Sequence, residues 1–192
     1  MRFYKFSRFL LRVWLKLFYR FEAIGVENLQ PNKAYILCPN HQSNWDPPLV
    51  GIPLSMIVHF MAKEEMFKVP ILKQMITAYG AYPVNRERMD KNTYRTTTRL
   101  LEENKIICIF PEGTRSSGVA REGAATFAIR TNTPIVPVAI VGTYRLFSKM
   151  TVIYGTPLTF THLDDLPKDE KVKAATAEIM KAIHKLMEER PS

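Results

Sequence analysis

Short apolar runs alternate with helical patterns along most of the chain, and this alternation constrains the fold more than any other feature. Apolar runs typical of strands cover residues 21–26, 34–38, 56–61, 82–84, 105–110, 135–141 and 151–154. Helical patterns follow the N-terminus and cover residues 71–79, 90–104, 122–130 and 167–189. Strands alternating with helices predict an α/β fold, with a mixed, largely parallel sheet flanked by helices on both faces. Pro137 interrupts one apolar run and predicts a bulge or a sheet edge there.

Composition indicates one folded domain rather than a disordered or membrane-spanning chain. Hydrophobic residues make up 46% of 192 residues, enough for a sizeable core. Cys38 and Cys108 both lie in apolar runs, so we expect reduced core cysteines and a reducing compartment. No stretch offers the roughly 18 consecutive apolar residues of a transmembrane helix, and no signal-peptide pattern is present. We therefore expect the chain to stay on the cytosolic side of a membrane without spanning it.

The N-terminal segment carries most of the excess positive charge. The chain has 27 basic and 18 acidic residues, a net charge of +9, and residues 1–20 contain basic residues without an acidic one. Because these cations recur every three or four residues, they share one face of a helix whose remaining surface is aromatic and aliphatic. This pattern predicts an amphipathic helix lying in a membrane interface, followed by the main folded domain at 21–192. The expected membrane contacts are Arg2, Lys5, Arg8, Arg12, Trp14 and Lys16.

Two other interpretations of this helix stay open. It can pack its apolar face on the domain core, and packing and lipid contact can also be combined on different parts of that face. A basic helix can contact the phosphates of nucleic acid, but the large aromatic and aliphatic surface favours lipid as the partner.

Two polar clusters, each following a predicted strand, are the candidates for chemistry. The first, Asn40–Asp46, contains a histidine and an aspartate five residues apart, which is the pair that general-base catalysis uses. A regular helix would place these two side chains on different faces, so they can meet only on a turn or at a junction between loop and helix. The second cluster, 110–116, offers Gly113 for a tight turn and Arg115 for a phosphate.

The order of four motifs resembles the glycerolipid acyltransferase family, that of the 1-acyl-sn-glycerol-3-phosphate acyltransferases. These motifs are Asn-His-x-Ser-x-x-Asp at 40–46, a Gly–Arg block at 80–86, Phe-Pro-Glu-Gly-Thr-Arg-Ser at 110–116 and Val-Pro-Val at 136–138. Many relatives have an acidic residue where this chain has Asn85, and commonly a lysine near the position of Arg121.

The resemblance implies transfer of a fatty acyl group from acyl-CoA or acyl-carrier protein to the hydroxyl of 1-acyl-sn-glycerol 3-phosphate, forming phosphatidic acid. It implies that 21–192 is the acyltransferase catalytic domain, that His41 is the general base and that Asp46 orients it. It assigns acceptor binding to Arg86, Glu112, Gly113, Thr114, Arg115 and Arg121. It implies no metal and no cofactor besides the thioester co-substrate.

Alternative acceptors within the family are glycerol 3-phosphate and other lysophospholipids, and a non-catalytic membrane-lipid-binding protein is the alternative outside enzymes. The expected partners are membrane lipid, lysophosphatidate and the thioester donor, without nucleic acid. The expected location is peripheral, at the cytoplasmic face of the cell membrane.

Overall fold

A computed structural model describes residues 2–84, 91–112 and 120–189, with side chains from residue 8 onward. Within these residues the strands are β1 (Arg20–Ile24), β2 (Tyr35–Pro39), β3 (Val58–Lys63), β4 (Ala81–Val84), β5 (Ile106–Cys108), β6 (Ile135–Gly142) and β7 (Lys149–Tyr154). The α-helices are α1 (Arg2–Phe18), α2 (Asp46–Gly51), α3 (Pro70–Ala78), α4 (Lys91–Glu102), α5 (Gly123–Thr131) and α6 (Lys168–Glu188).

One sheet of seven strands joins these elements in the order β1-β7-β6-β2-β5-β3-β4. Every neighbouring pair is parallel except β6 and β7, which run antiparallel. The predicted mixed, largely parallel α/β sheet is therefore confirmed.

Helices cover both faces of this sheet, because side chains of the central strands alternate between two cores. On β2, Tyr35 and Leu37 point into the core that contains Leu49 and Val50 of α2. The intervening Ile36 and Cys38 point into the core that contains residues of α4, α5 and α6. Cys38 and Cys108 are both buried and free of disulfides.

Local turn chemistry moves some element ends away from the predicted positions. β1 ends at Ile24 instead of residue 26, because Gly25 adopts a left-handed conformation with φ +77°. A Cβ atom at Gly25 would lie 2.0 Å from the carbonyl oxygen of Tyr154, so only glycine fits this turn. Asn104 follows α4 with φ 56°, a left-handed conformation that asparagine tolerates and that ends the helix.

Of the two alternatives predicted at Pro137, a bulge or a sheet edge, the sheet edge is wrong. β6 lies inside the sheet, between β7 and β2. The register of β6 with β7 begins only at Val138, so the missing N–H of Pro137 interrupts no bond of that antiparallel ladder.

α1 packs on the domain along one side and leaves the other side exposed. Leu15 is buried in the core, and Leu11 and Tyr19 pack partly against it. The exposed side carries Phe9, Leu10, Val13, Trp14, Leu17 and Phe18. Among the described residues no helix combines the length and the apolar character needed to cross a bilayer.

Candidate active site

Three neighbouring parallel strands bring the polar motifs together at their carboxyl ends. β2 lies between β5 and β6 and runs parallel to both. His41 follows β2, Phe110 follows β5, and Tyr144 follows β6. The carboxyl edge of parallel strands is where ligands bind in open α/β sheets, so this edge is the candidate active site.

The structure brings His41 and Asp46 into direct contact. The chain turns after β2, with Asp46 N–H donating to the Ser43 carbonyl, and Asp46 becomes the first residue of α2. His41 Nδ1 lies 2.7 Å from Asp46 Oδ2, the arrangement that a junction of turn and helix allows and a regular helix does not. A carboxylate only accepts hydrogen bonds, so Nδ1 carries the proton and Nε2 is the basic nitrogen.

The Asp46 carboxylate is completely buried and fully supplied with donors. Its Oδ2 also accepts the backbone N–H groups of Gln42 and Ser43, each at 2.7 Å. Its Oδ1 accepts the hydroxyl of Tyr144. Burial by itself raises the pKa of Asp46, but the hydrogen bonds from His41, Ser43, Tyr144 and Gln42 together lower that pKa below its usual value. The group is thus held as an anion that stabilises a protonated imidazole.

The His41 ring also joins the first motif to the second. It lies against the Phe110 ring, with a distance of 4.2 Å between ring centroids. The contact with Phe110 limits rotation of the imidazole. The His41 side chain is 9% exposed, so the imidazole still reaches the surface.

Side-chain hydrogen bonds to β6 hold the chain where it leaves β2. The amide of buried Asn40 donates to the Ile140 carbonyl at 3.1 Å and accepts the Ile140 N–H at 2.7 Å. The Gln42 side chain donates to the same carbonyl at 2.9 Å. These bonds continue the contact of β2 with β6 after the backbone ladder ends and place the following histidine.

The predicted acceptor-binding residues are described only in part. Glu112 is half-buried beyond the end of β5. Arg121 is exposed, and its backbone N–H donates to the Pro111 carbonyl at 2.6 Å, which places it beside the second motif. The other four, Arg86, Gly113, Thr114 and Arg115, lie outside the described residues.

The predicted membrane-contact residues with described side chains divide into two groups. Trp14 and Lys16 are exposed. Arg8 and Arg12 instead bind carbonyl oxygens of residues 52–54, because α1 is rotated so that this part of its cationic face meets the domain. The side chains of Arg2 and Lys5 lie outside the described part of the chain.

Sequence reasoning missed Tyr144 as a partner of Asp46. The two residues are 98 positions apart, and no local motif connects them. The one available signal was its place just after the apolar run 135–141, which puts it at the same sheet edge as His41.

Replacing Tyr144 by phenylalanine should lower the free energy of unfolding by about 1–3 kcal/mol, because a buried carboxylate oxygen loses its donor. We expect kcat to fall about tenfold, since the aspartate then stabilises the imidazolium less well. Urea unfolding and steady-state kinetics measure the two effects. Tyr94→Phe is the matched control, since its ring packs on Phe127 of α5. Equal stability and kcat in Tyr144→Phe and the control would contradict this role.

A histidine oriented by a buried aspartate at the carboxyl edge of an α/β sheet is the arrangement with which general bases take a proton from a hydroxyl group. The profile of the Acyltransferase family matches residues 20–141. The chain belongs to this acyltransferase family.

Relatives and a solved structure agree with this assignment. The 1-acyl-sn-glycerol-3-phosphate acyltransferase of Bacillus subtilis is 32% identical over 191 residues, covering 95% of this chain and 96% of the relative. The chloroplastic 1-acyl-sn-glycerol-3-phosphate acyltransferase LPAT1 of Arabidopsis thaliana is 29% identical, covering 74% of this chain. The chain spans 43% of that plant relative. The crystal structure of the 1-acyl-sn-glycerophosphate acyltransferase PlsC from Thermotoga maritima matches with a TM-score of 0.69 and 25% identity, covering 100% of this chain and 79% of PlsC.

Proposed function

We propose that the protein transfers a fatty acyl group from an acyl thioester to the free hydroxyl of 1-acyl-sn-glycerol 3-phosphate, forming phosphatidic acid for phospholipid synthesis. The observation that carries the proposal is the 2.7 Å contact between His41 Nδ1 and Asp46 Oδ2, in a chain related to enzymes named for this reaction. The donor is acyl-CoA or acyl-carrier protein.

The proposed reaction needs one base that later acts as an acid. His41 Nε2 takes the proton of the acceptor hydroxyl as its oxygen attacks the thioester carbonyl carbon. The tetrahedral intermediate then collapses, the C–S bond breaks, and the thiolate takes the proton from the imidazolium. Asp46 keeps its negative charge throughout and stabilises the imidazolium between the two proton transfers.

We assign the acceptor phosphate to arginines that belong to the sequence motifs or lie close to them in the chain. Arg115 follows β5, the neighbour of β2, and we propose that it grips the phosphate together with Arg86 and, more weakly, Arg121. Planar guanidinium groups suit this task because they bind phosphate oxygens in pairs. Glu112, Gly113 and Thr114 complete the proposed acceptor site. β4, which precedes Arg86, lies two strands from β5, or about 10 Å at the usual strand spacing.

We propose that residues 1–20 hold the 21–192 catalytic domain on the cytoplasmic face of the membrane. Phe9 is 62% exposed and Leu17 65% exposed on the outward side of α1. The loop after β6 adds Phe147, which is 68% exposed and lies against Phe18. An apolar surface beside the site lets a lysolipid enter with its acyl chain in lipid, which avoids about 0.8 kcal/mol per CH₂ group exposed to water.

The proposed reaction is tested by a radiolabelled transfer assay that crosses two donors, acyl-CoA and acyl-carrier protein thioester, with three acceptors. The acceptors are 1-acyl-sn-glycerol 3-phosphate, glycerol 3-phosphate and lysophosphatidylcholine. We expect phosphatidic acid as the main product. Faster acylation of either other acceptor would replace the proposed substrate, and transfer to none of them would favour a lipid-binding protein without catalysis.

The double variant Phe9→Ser/Leu17→Ser should bind vesicles of phosphatidylglycerol and phosphatidylcholine at least about tenfold more weakly. A fully inserted apolar side chain contributes about 1.5–3 kcal/mol, and each 1.4 kcal/mol is tenfold in affinity. Vesicle co-sedimentation measures the loss. The melting temperature should stay unchanged, since both side chains are already exposed.

Leu166→Ser is the matched control, because Leu166 is also exposed but lies in the loop before α6. If the double variant binds vesicles as well as Leu166→Ser does, α1 does not contact the membrane.

A further inference from the structure

α1 binds the carboxyl end of α2, the six-residue helix that begins with Asp46. Arg12 Nε donates to the Ile52 carbonyl at 2.8 Å, and Arg12 Nη2 donates to the Pro53 carbonyl at 2.7 Å. Arg8 Nη1 donates to the Leu54 carbonyl at 2.5 Å. Carbonyl groups at a helix carboxyl end lack partners within the helix and favour a nearby cation, so these guanidinium groups fix that end of α2.

α1 also contacts the amino end of the same helix. The Trp14 ring stacks on the Trp45 ring, with 6.4 Å between centroids and 27° between planes. Trp45 directly precedes Asp46 and is 58% exposed, so its stacking on α1 is a surface contact rather than part of the core. One helix therefore holds α2 at both ends.

We infer that Arg8, Arg12 and Trp14 are positioning residues, which hold α2 so that Asp46 aligns His41. The helix is short, and the carbonyl of Val50 in its last turn is bound by the Tyr154 hydroxyl at 2.6 Å. The core thus fixes one side of α2, and α1 fixes its two ends. A shift of α2 moves Asp46, and with it the imidazole that depends on its 2.7 Å contact.

This inference explains why Arg8 and Arg12 face the domain, which lipid binding alone does not explain. Apolar residues such as Phe9 and Leu17 are exposed on the outward side of α1, whereas Arg8 and Arg12 are partly buried against the domain. The inference rests on the proposed function. It means that α1, which is proposed to lie in lipid, also sets the position of the catalytic pair through α2. A displacement of about 1 Å at a reacting group can cost about 100-fold in rate.

The test compares Arg12→Met with Lys16→Met. Both variants remove one positive charge from α1, but Lys16 is exposed, whereas Arg12 binds two backbone carbonyls. Arg12→Met should weaken binding to phosphatidylglycerol vesicles no more than Lys16→Met does, because Lys16 is the exposed cation. On saturating vesicles, we expect kcat to fall about 10–100-fold in Arg12→Met, at least tenfold further than in Lys16→Met, with similar KM values for the acceptor.

A second measurement does not depend on catalysis. The low-field proton resonance of the His41 Nδ1–H bond to Asp46 should keep its shift in Lys16→Met and move or broaden in Arg12→Met. If the wild type acylates no lysophosphatidate, the proposed function fails and the resonance alone decides the positioning role. An unchanged resonance in Arg12→Met, or equal kcat values in the two variants, overturns the inference.

Arg12→Lys covers the case in which Arg12→Met does not fold. It keeps the charge but not the planar fork that meets two carbonyl oxygens. A lower kcat at unchanged vesicle binding supports the positioning role, and a wild-type kcat contradicts it.

Discussion

Replacement of His41 by alanine should lower kcat for acyl transfer by about 10²–10⁴-fold, the usual contribution of a positioned general base. Without Nε2, the acceptor hydroxyl must lose its proton to water, and the departing thiolate has no acid beside it. We expect the variant to fold, because Asp46 keeps the two backbone N–H donors and the Tyr144 hydroxyl. The radiolabelled transfer assay and circular dichroism measure the two properties.

His184→Ala is the control for this substitution, since His184 is exposed on α6, which packs on the face of the sheet opposite to α2. It should keep wild-type kcat. A His41→Ala protein that makes phosphatidic acid at the wild-type rate would show that another group acts as the base.

Asp46→Asn should lower kcat by about 10³–10⁴-fold, as expected when the partner of a catalytic histidine loses its charge. The amide is similar in shape, so the substitution removes charge rather than volume. It leaves the imidazolium uncompensated and permits the tautomer with the proton on Nε2, which cannot act as a base there. Steady-state kinetics across pH test this. A loss confined to acceptor KM, with kcat unchanged, would assign Asp46 to binding instead.

The same substitution should change how stability depends on pH. Burial raises the pKa of Asp46, but its four hydrogen-bond donors lower it below the usual value of about 3.9. A carboxyl group with a lowered folded-state pKa stabilises the protein above its unfolded-state pKa, and this contribution is lost as the pH falls through the folded-state value. The free energy of unfolding should thus decline more steeply in the wild type than in Asp46→Asn between pH 7 and about pH 3.

Urea unfolding at both pH values measures this difference. Parallel decline in the two proteins would mean that the Asp46 carboxylate is not held as an anion by its donors.

Short-range patterns predicted most of the architecture because the elements depend on neighbouring residues. The apolar run before His41 became β2, and the run before Phe110 became β5. Once both were parallel strands of one sheet, the two motifs had to meet at one edge, which is where the His41 ring lies against Phe110. The pairing of His41 with Asp46 was also readable, since five residues and a turn suffice to form it.

Contacts between distant parts of the chain were not readable in this way. Asn40 bonds to Ile140 in β6, and Asp46 bonds to Tyr144 in the loop that follows β6. Each pair is about 100 positions apart in the sequence, and nothing in either local sequence indicates the partner. The cationic stripe of α1 likewise does not indicate which face of the helix packs on the domain. A helix with apolar and basic faces can turn either one towards a domain, and here the carbonyls of residues 52–54 attract Arg8 and Arg12 inward.

The sequence by itself thus determined the order of the strands and of the helices other than α2, together with the residues of the proposed catalytic pair, because hydrophobic periodicity and closely spaced motifs act over a few residues. The tertiary structure decided that Tyr144 supports Asp46, that β6 lies inside the sheet despite Pro137, and which side of α1 faces the domain. These features depend on which unpaired carbonyls and buried charges come within hydrogen-bond distance, and only the packing of remote segments sets those distances.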